Sequence, residues 1–153
     1  DAAQKLRESG LFDFLKDLAA SGKPLMGICL GMQLLFEKGF EYGEHEGLGL
    51  IAGEVRPISE VIPEGLKIPH IGWNPLIIKK ENPIFKYISS GDCVYFVHSF
   101  YLDTPQTEIV SAETEYGIKF QSAIQKDNVM ACQFHPEKSG DVGLNILRAF
   151  MEV

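Results

Sequence analysis

Apolar residues recur at Leu11, Phe14, Leu15 and Leu18, spaced i, i+3, i+4, i+7, which predicts an amphipathic helix with one inward face. Gly22 and Pro24 end it, because glycine accepts a left-handed cap and proline cannot continue a helix. Residues 24–28 form a short, nearly all-apolar run, the pattern of a strand covered on both faces. A second helix is predicted from residue 30 to about residue 38, with Leu30, Leu34 and Leu35 facing inward. Beyond Gly39 the character changes. Residues 48–58, 66–78 and 94–101 read as strands, rich in β-branched and aromatic residues between glycine and proline punctuation. Residues 122–126 and 129–134, joined by Asp127-Asn128, read as a hairpin. The chain closes with a helix over residues 141–151, whose inner stripe is Ile146, Leu147, Phe150 and Met151. Helix, buried strand, helix, many strands and a last helix imply an α/β layered sheet with an inserted β-rich portion.

Composition narrows the class. The 153 residues are 45% hydrophobic and 23% charged, which fits a single soluble globular domain over residues 1–153, large enough to need no staples. A net charge of −7 without any basic stripe argues against a nucleic-acid partner. Cys29, Cys93 and Cys132 are odd in number, widely spaced and without a CxxC pair. A disulfide framework and a thiolate metal site are therefore not expected, and a reducing cytoplasm is. No apolar stretch approaches the ~18 residues of a spanning helix and no signal peptide is seen, so no membrane association is expected.

One stretch carries chemistry. Gly27-Ile28-Cys29-Leu30-Gly31 has the pattern of a nucleophile elbow between a buried strand and a helix. Such a turn holds its nucleophile in a strained backbone conformation, and flanking glycines remove side chains that would collide there. The helix N-terminus behind it favours a thiolate and can hold a developing oxyanion. The competing reading of a free cysteine is buried packing, which is retained for Cys93 and Cys132, both inside strand-like runs. A nucleophilic thiol needs a base, and the base needs an orienter. His135 and Glu137, in Gln133-Phe134-His135-Pro136-Glu137, sit at i and i+2 of an extended segment and can share a face. His45 reads as solvated, while His70 and His98 read as ordinary core histidines or as something more.

Together, GICLGMQLLFE and QFHPEKS resemble the class I (triad) glutamine amidotransferases. Gly47-Leu48-Gly49-Leu50-Ile51, Pro69-His70-Ile71-Gly72-Trp73-Asn74 and Tyr95-Phe96-Val97-His98-Ser99-Phe100 resemble more narrowly the glutaminase subunits of imidazole glycerol phosphate synthases. The resemblance covers essentially the whole chain. It implies a three-layer, flavodoxin-like α/β fold with a mostly parallel central sheet and an added β-rich portion, and no cofactor. It also implies glutamine hydrolysis, with Cys29 attacking the amide, His135 moving protons and Glu137 orienting His135. By the same resemblance Leu30 supplies an oxyanion N–H, Gly31 keeps that turn open, Gln33 contacts the substrate, and His98, Ser99 and Phe100 line its α-amino and carboxylate end, largely through backbone groups. Trp73, Asn74, Tyr95 and Lys138 would lie near a (β/α)8-barrel cyclase partner that receives the ammonia.

Plainer readings stand beside these: Gln33 as a solvated helix residue, Trp73 and Tyr95 as packing, Lys138 as a surface cation, Ser99 as a strand hydroxyl serving a neighbour. The family also carries an upstream βαβ segment with a Pro-Gly-rich loop that supplies the other oxyanion donor. That segment is absent from these 153 residues, which leads us to expect an N-terminally incomplete chain. Two alternatives follow: another triad amidotransferase, or a fragment that binds the barrel without catalytic competence.

Overall fold

In the computed structural model, which describes residues 1–153, the opening segment forms two helices, α1 (Ala2–Glu8) and α2 (Leu11–Ala20), separated at Gly10 with φ 75°. The inward stripe of α2 is Phe12, Leu15 and Ala19. Leu11 and Phe14, expected inside, are 48% and 56% exposed. The helix carries apolar residues at 11, 12, 14, 15, 18 and 19, so its apolar arc is wide and the period alone did not choose the buried edge.

β1 (Leu25–Ile28) leads through Cys29 into α3 (Leu30–Leu34), and the chain then enters β2 (Phe36–Gly39). The expected helix to residue 38 is thus a short one, with Met32 and Leu35 buried and Leu30 48% exposed. Helix-ending carbonyls need partners, and here the following loop provides them. Leu48 N–H donates to the Leu34 carbonyl at 2.8 Å, and Leu50 N–H to that of Leu35 at 2.9 Å.

The remaining elements are β3 (His45–Glu46), β4 (Ile51–Pro57), β5 (His70–Pro75), β6 (Ile77–Ile78), β7 (Cys93–His98), β8 (Phe100–Asp103), β9 (Val110–Tyr116), β10 (Ile118–Lys126), β11 (Val129–Cys132) and α4 (Gly140–Met151). Two long predicted strands are each divided, at Leu76 and at Ser99, and β9 was not among the predicted strands. The main sheet runs β1-β11-β10-β8-β4-β2-β3, with β9 beside β10 and β6 beside β9, while β5 and β7 pair separately as a ribbon. Parallel pairing is confined to β1–β11 and β2–β4. The expected mostly parallel sheet is therefore corrected to a mixed one. Tight returns at Gly117 (φ 73°) and Asp127-Asn128 fold β9, β10 and β11 back on one another, and short turns can join only antiparallel neighbours.

Alternation along β11 divides the core. Val129 and Ala131 enter one cluster with Met32, Leu35 and the α2 stripe, while Met130 and Cys132 enter another with Phe96, Phe134 and Ile146 of α4. Helices thus cover both faces of the sheet at β1 and β11. On α4, Ile146 and Ala149 are buried and Phe150 is packed, but Met151 is 81% exposed, past the end of the expected stripe.

Gly143 of α4 lies directly against the Pro136 carbonyl, so a Cβ there would overlap it. Gly143→Ala is expected to displace the 136–138 turn and lower unfolding free energy by about 1–3 kcal/mol in urea titrations, the usual cost of overpacking.

Candidate active site

Cys29 adopts φ 49° and ψ −104°, a conformation that an L-residue occupies only under constraint. The constraint is visible on both sides. Its N–H donates to the Cys132 carbonyl at 2.8 Å, extending the β1–β11 ladder by one bond. Behind it, a Cβ on Gly27 would come within 2.8 Å of the Gly31 and Met32 backbone, so only glycine lets α3 start this close to β1. Gly31 faces open space. The Cys29 thiol is half-buried, and burial pushes its pKa up; the Leu30 N–H and the Gln133 amide pull it down, and the Glu137 and Glu41 carboxylates add to the rise.

His135 follows β11 as Cys29 follows β1. Because these strands are parallel neighbours with Ile28 opposite Cys132, both residues emerge at the same end of the sheet. His135 N–H donates to the Tyr95 carbonyl at 3.0 Å, and Ser139 Oγ donates to the His135 carbonyl at 2.6 Å while accepting from Tyr95 N–H at 2.9 Å. The imidazole Nδ1 lies 2.6 Å from Glu137 Oε1. That contact fixes the ring and leaves Nε2 as its free nitrogen.

A cavity of about 450 Å³ opens beside α3, lined by Leu30, Gln33, Phe40, Glu41 and His45 among others. Gln33 therefore faces a cavity and not bulk solvent alone, although Cys29, His135 and Glu137 do not line it. Glu41, Ser139 and Gln133 escaped the sequence reading. Gln133 lies in the bend between β11 and the 136–138 turn, so no strand alternation announced it.

His98 is 5% exposed and its side chain is committed elsewhere. Nδ1 donates to the Phe100 carbonyl at 2.7 Å, and Nε2 lies 2.9 Å from His70 Nδ1. Asn74 Oδ1 lies 2.8 Å from His70 Nε2. The His98 imidazole is thus a buried structural group, which leaves the backbone, as expected, as the part of this residue that could face substrate. Ser99 and Phe100 are half-buried at the β7–β8 crossover, where the Ser99 carbonyl accepts from Ile58 N–H.

On the ribbon, alternation turns Ile71 and Trp73 outward, 58% and 55% exposed. Trp73 meets the cross-strand Tyr95 edge-on, with ring centroids 5.8 Å apart. The plainer reading of Trp73 as core is excluded. Asn74 points to the opposite side, toward His70, and Lys138 is exposed beside Glu137. No group of three or more His, Cys, Asp or Glu side chains is arranged to hold a metal, and no helix is long and apolar enough to cross a membrane.

Residues 5–153 match the family Glutamine amidotransferase class-I. The chain belongs to that family, and its mixed sheet covered by helices on both faces is the fold shared with a solved glutamine amidotransferase. Among its relatives, the imidazole glycerol phosphate synthase subunit HisH of Caldanaerobacter subterraneus subsp. tengcongensis is 52% identical over 153 residues, covering 100% of this chain and 73% of its own length. The subunit of the same name from Wolinella succinogenes is 51% identical over 154 residues, covering 100% of this chain and 75% of its own. A crystal structure of a glutamine amidotransferase superposes with a TM-score of 0.70 at 21% identity, over 98% of this chain and 71% of that one.

Burial lowers the His98 pKa to about 4 from 6.5; the Phe100 carbonyl opposes the shift, and the charges of His70 and His135 reinforce it. The folded state therefore favours neutral His98. Its contribution is complete above the unfolded value of 6.5 and is lost as pH falls toward 4, worth roughly 3 kcal/mol at full effect. Urea unfolding at stepped pH is expected to show this loss in the parent chain and a flatter profile in His98→Gln.

Proposed function

We infer that this chain is the glutaminase subunit of an imidazole glycerol phosphate synthase, releasing ammonia from glutamine for a cyclase subunit in histidine biosynthesis. The observation that carries the reading is a strained cysteine just after β1 at the same end of the sheet as His135, which follows β11 and has its imidazole held by a carboxylate at 2.6 Å. Cys29 gives its proton to His135 Nε2, and the sulfur attacks the glutamine side-chain amide carbon. The tetrahedral oxyanion is received by the Leu30 N–H, where Gly31 leaves room. His135 then protonates the departing ammonia, leaving a glutamyl thioester, and deprotonates the water that hydrolyses it. Glu137 stabilises the imidazolium that forms twice in the cycle. Glutamine and water become glutamate and ammonia, so the reaction balances without a cofactor.

Burial opposes ionisation of the Cys29 thiol. The base is therefore required, and an isolated thiolate would not suffice. Gln33 and Glu41, on the cavity beside α3, suit the α-carboxylate and α-ammonium of glutamine respectively. Ser99 and Phe100 offer backbone groups to the same end.

The partner face is the outward side of the β5–β7 ribbon. Ile71, Trp73 and Tyr95 form an apolar strip next to His135, because the Tyr95 carbonyl accepts the His135 N–H. A (β/α)8-barrel cyclase seated there would receive ammonia near its point of release. Lys138 stands at the rim of that face, while Asn74 supports it from behind through His70.

Glutamate release should be measured with the cyclase subunit present. Cys29→Ala is expected to lose at least about 10³-fold while still binding the partner, and Glu137→Gln to lose less, as orienters usually do. Unchanged turnover in Cys29→Ala would overturn the assignment. Lys138→Ala should weaken the dependence of turnover on the cyclase's ligand; intact coupling would remove Lys138 from the interface.

A further inference from the structure

We propose that Gln133 is a dedicated partner of the Cys29 sulfur, whose side-chain amide stabilises the thiolate from the side opposite bulk solvent and follows the protonation state of the thiol. The inference rests on the reading of Cys29 as nucleophile and adds a residue to it.

Gln133 is fully buried, immediately after β11 and two residues before His135. Its backbone is pinned, with N–H donating to the Ser122 carbonyl of β10 at 2.9 Å. The side chain reaches back toward the elbow and places Nε2 3.5 Å from Cys29 Sγ, within range of an N–H···S hydrogen bond. Its other polar atom, Oε1, is buried with no partner at all. A buried amide that served only packing would be disfavoured here, since an apolar side chain of equal length would leave nothing unsatisfied.

An amide offers two opposite faces to one neighbour. Its NH₂ donates to a thiolate, and its oxygen accepts from an S–H; a half-turn about the last side-chain bond exchanges them. Facing the sulfur, the NH₂ adds a second donor to the Leu30 N–H, and the two together partly offset the burial that opposes ionisation. With the thiol protonated, the exchanged orientation gives Oε1 the partner it otherwise lacks. No other polar side chain in the structure hydrogen-bonds this sulfur. The amide carries no charge, so it does not compete with His135 for the proton.

The test is the pH dependence of Cys29 alkylation by iodoacetamide, read on the Cys29 peptide by mass spectrometry so that exposed Cys93 does not interfere. Gln133→Met keeps length and bulk but removes the donor, and is expected to raise the midpoint by about one pH unit. Gln133→Glu keeps the shape, sets a carboxylate against the sulfur, and is expected to raise it further. A purely structural Gln133 would lower the thermal midpoint of the variants and leave the alkylation midpoint where it was. That result would overturn the proposal. Should either variant fail to fold, the parent chain answers alone: the Gln133 side-chain ¹⁵N resonance should titrate with the Cys29 midpoint, and a pH-invariant signal would refute the pairing. Glutamate release by the parent is assayed in parallel. Its absence would count against the glutaminase reading, while the alkylation midpoints still decide the role of Gln133.

Discussion

The parallel pairing of β1 with β11 is the constraint on which the site depends. Ile28 stands opposite Cys132, and the ladder runs on into the elbow through the Cys29 N–H and the Cys132 carbonyl. Each strand ends at the same edge of the sheet and hands its next residues to the site: β1 gives Cys29, and β11 gives Gln133 and His135. A one-residue slip would flip every side chain on one strand to the other face and part the thiol from its base. The two core clusters prevent it, because Val129 and Ala131 must meet α2 and α3 while Met130 and Cys132 must meet α4.

Around that pairing, rigid backbone contacts position the groups that act. Gly27 allows α3 to begin against β1, which forces Cys29 into its strained conformation and turns the Leu30 N–H toward the sulfur. On the other strand, Ser139 joins the His135 carbonyl to Tyr95 N–H, so His135 is tied to the exposed ribbon by side chain and main chain together. The proposed partner face and the proposed base therefore share one short segment. Movement of Tyr95 would be felt at His135 without passing through solvent.

The chemistry was more legible in the sequence than the architecture. An elbow needs glycine at Gly27 for a local steric reason, whereas His135 and Glu137 meet across the start of a 3₁₀ turn at Pro136–Lys138 and not along the expected extended segment. Both are written in a few adjacent residues. The sheet is not, because its mixed character arises from which strands return to which. Nothing local in residues 110–116 announced β9, and the α2 stripe was shifted by a wide apolar arc that periodicity cannot resolve. The second helix was cut short when Leu48 and Leu50 took its last carbonyls, a long-range event. Gln133 and Glu41 were missed for a related cause: a polar residue gains its role from what the fold places opposite it. His98 shows the converse. Its strand pattern left the role of the ring open, and burial with two hydrogen bonds reserves that ring for the core.

The central claim is that the fold makes Cys29, alone among three free cysteines, the nucleophile toward glutamine. Peptide mapping after exposure to a diazoketone analogue of glutamine, with the cyclase subunit present, tests it most directly. The account expects one covalent adduct, on Cys29, formed more slowly when glutamine competes. An adduct on exposed Cys93 with Cys29 unmodified would contradict it.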